Sequence, residues 1–187
     1  MEIKVQLPAS ISRVVLVGFM GAGKSSVGAL LAPRLQWSFL DVDHVLESRM
    51  GTSIAEMFAT YGEAEFRRLE ADLIRELLDE DRLVLALGGG AMESSATREL
   101  LLRAPDTCII FLKAPLEVLI SRCEQQPGAA IRPVLNDRER LLTRFESRLP
   151  HYESAHMTVE TAFLNTEEAS QVIFTAVSAL LKDNIPA

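Results

Sequence analysis

The segment Gly18-Phe19-Met20-Gly21-Ala22-Gly23-Lys24-Ser25 has the spacing G-x-x-x-x-G-K-[ST]. It follows the β-branched run Arg13 to Val17 and opens a stretch with helical spacing, so it reads as a strand, a glycine loop and a helix N-terminus. Glycines let backbone N–H groups curl around phosphate oxygens, and the helix end adds a positive dipole. In such a loop the Lys24 amine reaches the β- and γ-phosphates of a nucleotide and the Ser25 hydroxyl ligates Mg²⁺. The alternative is a glycine-rich turn carrying an unrelated lysine, and the intact strand-loop-helix context argues against it.

Other groups could work beside that loop. Asp41 and Asp43 follow a short apolar run, and in an extended segment they project to the same side. Two carboxylates there could serve Mg²⁺ and a substrate hydroxyl. Alternatively, Asp43 caps a helix from His44 to Met50. Arg67 and Glu70 are one helical turn apart, so Glu70 could hold the guanidinium; spacing alone equally fits a solvated charged face. Gly88-Gly89-Gly90 ends a strand and permits close backbone approach to a ligand, or is a plain turn. Arg132 and Arg148 precede Pro133 and Pro150 at a one- and two-residue distance, and either could be ordinary surface charge.

Alternating elements must position these groups. Strands are expected at Arg13–Val17, Trp37–Leu40, Leu83–Leu87, Thr107–Leu112 and Met157–Val159. Helices are expected at Gly23–Leu35, Ser53–Tyr61, Glu63–Leu78, Thr97–Arg103, Leu116–Cys123, Asn136–Leu149 and Glu167–Leu181. Gln125 to Pro133 reads as a loop. This pattern predicts an α/β fold, a five-stranded parallel sheet with helices on both faces, in one domain spanning residues 1–187.

Composition narrows the partners. The chain has 187 residues, 26 acidic and 19 basic, for a net charge of −7. Nucleic acid and anionic membranes want a positive field, so neither is expected. Of the basic residues, 15 are Arg and 4 are Lys, and Arg is the better planar clamp for carboxylate and phosphate. Cys108 and Cys123 suggest no disulfide framework and show no metal-type spacing. No signal peptide and no membrane span are evident, so a cytoplasmic location is expected.

A phosphate loop alone covers kinases, GTPases and motors. No N-K-x-D segment for guanine is present, which sets GTPases aside. The remaining pieces, in order, resemble the shikimate kinase family. The resemblance is carried by the phosphate loop, Phe39-Leu40-Asp41-Val42-Asp43, Gly51-Thr52-Ser53-Ile54, Phe66-Arg67-Arg68-Leu69-Glu70, Gly88-Gly89-Gly90, Arg132-Pro133-Val134-Leu135, and Arg148 with Tyr152. It covers roughly residues 12 to 180.

The resemblance implies a three-layer P-loop kinase fold with substrate-binding helices at about 44–80 and a mobile lid at about 124–135. It implies ATP-dependent phosphorylation of the shikimate 3-hydroxyl, with Mg²⁺, in chorismate biosynthesis, by a monomer acting on small molecules. Gly21, Ala22, Gly23, Lys24, Ser25 and Ser26 would hold the ATP phosphates. Ser25 would bind Mg²⁺, and Asp41 would support it through water. Asp43 would contact the reacting hydroxyl. Arg67 and Arg148 would grip the carboxylate, Glu70 would orient Arg67, and Gly89 and Gly90 would give backbone contacts. Arg132 would reach over both ligands, and Arg122 would lie beside adenine. Two departures stand out: the uncharged insert Gln125 to Ala130, and the absence of a basic residue in Ala162-Phe163-Leu164. A gluconate or nucleoside monophosphate kinase, or a nucleotide-binding module without catalysis, remains an alternative at this point.

Overall fold

A computed structural model describes residues 2–3, 8, 10–125 and 137–183. Its six-stranded sheet runs in the order β1-β6-β5-β2-β4-β3. The strands are β1 Glu2–Ile3, β2 Arg13–Val17, β3 Ser38–Asp41, β4 Leu83–Ala86, β5 Thr107–Lys113 and β6 Met157–Glu160. The five expected strands are all parallel, within a residue or two of their expected bounds. The added strand, β1, pairs antiparallel with β6 at the edge. Two residues carry no periodicity, so nothing in the pattern announced it.

Every residue of β2 and β4 is buried. Successive strand residues point to opposite faces, so both faces of the sheet centre are covered. That is why these strands read as unbroken apolar runs rather than alternating ones. On the described residues, α1 (Lys24–Leu35) packs on β3 and β4 and against α7 (Thr166–Asp183). Helix α4 (Ser95–Arg103) packs on β5 and against α3 (Ile54–Leu77). Fully burying an aliphatic side chain such as Val14 or Leu16, both 0% exposed, stabilises by about 1.5–3 kcal/mol.

Three local features set the site. First, α2 (Val42–Met50) starts earlier than expected, and its cap is Asp41, not Asp43. Asp41 has extended backbone, and its Oδ1 accepts from the N–H groups of Asp43 at 3.0 Å and His44 at 3.4 Å. Asp41 and Asp43 therefore do not share one face of a strand; Asp43 sits in the first helical turn.

Second, the two helices expected around Gly62 are limbs of α3. Gly62 interrupts it with φ 77° and ψ 169°, a conformation that excludes the helix. The first limb begins with a reciprocal cap: Glu56 N–H donates to Ser53 Oγ at 3.3 Å, and Ser53 N–H donates to Glu56 Oε2 at 2.9 Å. Spacing puts Phe66, Leu69, Leu73 and Leu77 on one stripe of the second limb; Phe66, Leu73 and Leu77 are buried, and Leu69 is half-buried against the core.

Third, α6 (Arg138–Tyr152) runs through Pro150 rather than ending before it. The backbone continues because Glu153 N–H still reaches Leu149 O at 3.0 Å. The extra turn carries Tyr152 to the glycine segment, where its hydroxyl donates to Gly89 O. The remaining helix of the core, α5, spans Leu116–Glu124. Strand β2 is central, while the next strand in sequence, β3, lies beyond β4. Chain order reverses there, and ligands of open parallel sheets bind outside the carboxyl ends of strands at such a point.

Candidate functional site

The glycine loop leaves the end of β2 and turns into α1 with Gly21 at φ 75° and Gly23 at φ 86°. Gly23 is the cap residue of α1, and no described side chain caps that end. The backbone donors of its first turn are thus left for an anion. Lys24 lies back across the loop, its Nζ donating to Gly18 O at 2.8 Å and Phe19 O at 3.1 Å. Burial pulls its pKa down to about 8, against the pull of Asp43 and Asp41. A cavity of about 610 Å³ lies over the loop, lined by Lys24, Ser25, Ser26, Asp41, Asp43 and Gly89 among others. A smaller one, about 260 Å³, adjoins it between Gly21, Ala22, Gly23, Arg122, Thr161 and Asn165.

The acids divide by environment. Asp41 caps α2 with one oxygen and accepts from the Ser25 hydroxyl with the other. Asp43 is raised above the ordinary carboxylate value, first by burial and then by the charge of Asp41, with Lys24 opposing. Among the described residues no cluster of three or more His, Cys, Asp or Glu side chains could hold a metal by itself. The Ser25 hydroxyl with the Asp41 carboxylate beside it still fits Mg²⁺, a hard cation that takes few protein oxygens when phosphates supply others.

A third cavity, about 410 Å³, opens on the far side of Asp43. Its walls include Arg67, Glu70, Gly88, Gly90, Arg144 and Arg148. Arg67 Nη1 donates to Glu70 Oε2 at 2.7 Å, and Glu70 is fully buried. The pair is not a solvated charged face. Burial pushes Glu70 up to about 7, with Arg67 opposing the rise. Its second oxygen, Oε1, is buried without a hydrogen-bond partner among the described residues. The Arg67 guanidinium also lies over the stacked rings of Phe58 and Phe66, at 5.8 and 5.3 Å from their centroids.

Arg148 comes from α6 and rests over the Phe19 ring at 5.6 Å. It is 9% exposed, and its buried Nε has no hydrogen-bond partner among the described residues. The glycine segment closes the wall between the cavities. A Cβ on Gly88 would stand 2.6 Å from Asp43 Oδ1 and 2.8 Å from Glu70 Oε1. A Cβ on Gly90 would collide with the Arg67 guanidinium. Glycine is required here by close approach rather than by turn geometry.

The structure thus brings together Gly21, Ala22, Gly23, Lys24, Ser25, Ser26, Asp41, Asp43, Arg67, Glu70, Gly89, Gly90 and Arg148 around adjoining cavities. Arg122 lines the smallest cavity, but its guanidinium is occupied: it donates to Thr161 Oγ1 at 3.2 Å, to Thr161 O, and to Leu164 O at 3.3 Å. It pins the turn after β6, on which Phe163 is fully exposed. Arg132, with the rest of the expected lid from 126 to 135, lies outside the described residues. One wall residue and one partner of the arginines went unread in the sequence. Arg144 is one turn before Arg148 on α6, so helical spacing could have found it. Glu93, which contacts Arg148, has no local signature.

Comparison with known proteins agrees with this geometry. The family model described as shikimate kinase matches residues 20–178. A shikimate kinase of Thermus thermophilus is 40% identical over 174 residues, covering 91% of this chain and 92% of that protein. One from Geobacter sulfurreducens is 40% identical over 176 residues, covering 92% and 94%. The chain belongs to the shikimate kinase family. Among solved structures, shikimate kinase from Acinetobacter baumannii in complex with shikimate is similar with a TM-score of 0.81 at 34% identity, covering 91% of this chain and 95% of that one. A gluconokinase from Sinorhizobium meliloti, at 20% identity and a TM-score of 0.64, shares the fold alone. Membership of the shikimate kinase family makes this chain an ATP-dependent phosphotransferase.

Proposed function

We propose that the chain transfers the γ-phosphoryl group of ATP to the 3-hydroxyl of shikimate, giving shikimate 3-phosphate and ADP. The observation that carries this reading is the position of Asp43. It lines both the cavity over the phosphate loop and the cavity that holds Arg67 and Arg148. A hydroxyl held at Asp43 would face a phosphoryl donor on one side while its ring carboxylate met the arginines on the other.

The roles follow from chemistry. Gly21, Ala22, Gly23, Ser25 and Ser26 supply the loop and helix end for the phosphates, and Lys24 offsets charge on the transferring group. Mg²⁺ held at Ser25, with Asp41 behind it, supplies charge neutralisation to the β- and γ-phosphates when bound. Asp43 orients the hydroxyl and takes its proton late; its raised pKa makes it the better base. Arg67 and Arg148 fix the ring through the carboxylate, a forked task suited to guanidinium. Glu70 holds Arg67, and the Gly89 and Gly90 backbone lies along the ring. Arg122 shapes the adenine side by pinning the turn at Thr161. Arg132 completes the charge offset from the lid.

The phosphoryl transition state is loose, so positioning and charge neutralisation account for most of the acceleration. The same proposal places the chain in the cytoplasm as a single-domain monomer; among the described residues no helix is long and apolar enough to cross a membrane. Proton and phosphorus NMR of the product tests the regiochemistry. Coupling of the new phosphorus to the ring proton at carbon 3 is expected, and coupling at another ring carbon would refute the pose.

A further inference from the structure

The two guanidinium groups of the carboxylate clamp already share a carboxylate. Arg148 Nη2 donates to Glu93 Oε2 at 2.8 Å, and Arg67 Nη2 lies 3.5 Å from the same oxygen. With Arg67 Nη1 committed to Glu70, Nη2 is the outward end of that fork. One glutamate oxygen therefore stands between the outward ends of both arginines.

The placement is built rather than incidental. Glu93 closes the short 3-10 turn Ala91–Glu93, directly after Gly90. Its N–H donates to Gly90 O at 3.0 Å, and Arg98 Nη1 holds the turn by donating to Met92 O at 2.6 Å and Glu93 O at 2.9 Å. Gly90 leaves room for the meeting, since a Cβ there would stand 3.0 Å from Glu93 Oε2. Three acids touch the clamp, since Glu63 Oε1 on an exposed side chain also lies 3.6 Å from Arg67 Nη2. Only Glu93 reaches both arginines, and it differs from Glu70 in freedom. Glu70 is wholly buried, while the Glu93 side chain is 35% exposed. An ion pair partly in water is weak, so Glu93 can leave the clamp for solvent at small cost, and Glu70 cannot.

We infer that Glu93 is a tethered carboxylate that competes with the acid substrate for Arg67 and Arg148, and so sets the affinity and selectivity of that subsite. The inference rests on the acid-substrate reading above. A ring acid also held through its hydroxyls at Asp43 and the Gly89 backbone can displace Glu93. A small anion offering only its charge cannot, so the clamp stays closed to acetate and inorganic phosphate. Glu93 is a specificity residue, acting through the arginines rather than on the reacting atoms.

Glu93→Gln keeps the shape and removes the charge, and Glu93→Ala removes both. In steady-state kinetics with Mg·ATP, either variant should lower the KM for shikimate by about threefold to tenfold, with the change in KM rather than kcat. Acetate and inorganic phosphate should become stronger competitive inhibitors by a similar factor. An unchanged or raised KM while the unaltered protein still turns over shikimate would overturn the inference and leave the acid reading standing. The rise in melting temperature with shikimate alone reads binding without turnover. If neither the variants nor the unaltered protein responds to shikimate in either measurement, the clamp assignment and the inference fall together.

Discussion

Asp43 and Glu70 aim carboxylate oxygens at the same point beside Gly88. Oδ1 of Asp43 and Oε1 of Glu70 lie 2.6 and 2.8 Å from where a Cβ of Gly88 would be. They come from different helices, α2 and α3, and meet only because the strand end between them has no side chain. Burial is the first cause of the upward shift in both, and the Asp43 charge adds to the rise at Glu70.

That meeting gives a pH signature. The pKa of Glu70 in the folded chain is about 7, above its ordinary value of 4.5. Over that interval the folded chain binds more protons than the unfolded one, so stability falls as pH rises. Glu70→Gln removes this contribution. Chemical denaturation between pH 4.5 and pH 7 should show a shallower loss of stability in the variant. Equal slopes would place the proton elsewhere.

Gly88→Ala should act on catalysis through geometry. The new methyl group must displace Asp43 or Glu70, and a displacement of about 1 Å at a reacting group costs on the order of a hundredfold in kcat. ATP binding, read by the KM for ATP, should change little. A variant with full kcat would mean that Asp43 is not held by this contact.

Arg67→Lys keeps the charge and loses the fork. A charge-assisted hydrogen bond is worth about 1.5–3 kcal/mol, so the KM for shikimate should rise by about tenfold to a hundredfold. The KM for ATP should be nearly unaffected. Unchanged shikimate kinetics would remove Arg67 from the clamp.

Lys24→Ala should lower kcat by about a thousandfold or more, because no other described cationic side chain lines the cavity over the loop. Its melting temperature should not fall, since burial already disfavours the charge in the folded chain. A large loss of stability would instead mark Lys24 as a structural residue.

Local chemistry was legible in the sequence, and long-range burial was not. The phosphate loop is contiguous, so strand, glycines, lysine and hydroxyl could be read together. The central strands β2, β4 and β5 were the most legible because burial on both faces makes them nearly unbroken apolar runs. The Arg67–Glu70 pair was legible as a spacing, but its meaning depended on what packs over α3, which spacing does not encode. Asp41 and Asp43 were read as partners on a strand because helix starts are set by caps, and both residues are good caps. Glu93 was invisible because its partners arrive from α3 and α6. Arg132 lies among residues outside the description, so its role rests on the family pattern.

The central claim is that one cleft joins a phosphoryl donor to a ring acid. Coupled ADP release with Mg·ATP, measured in parallel with shikimate, gluconate and a nucleoside monophosphate, tests it most directly. ADP release that depends on shikimate and on neither of the others is the expected result. ADP release that ignores every acceptor, or none with shikimate, would contradict the account.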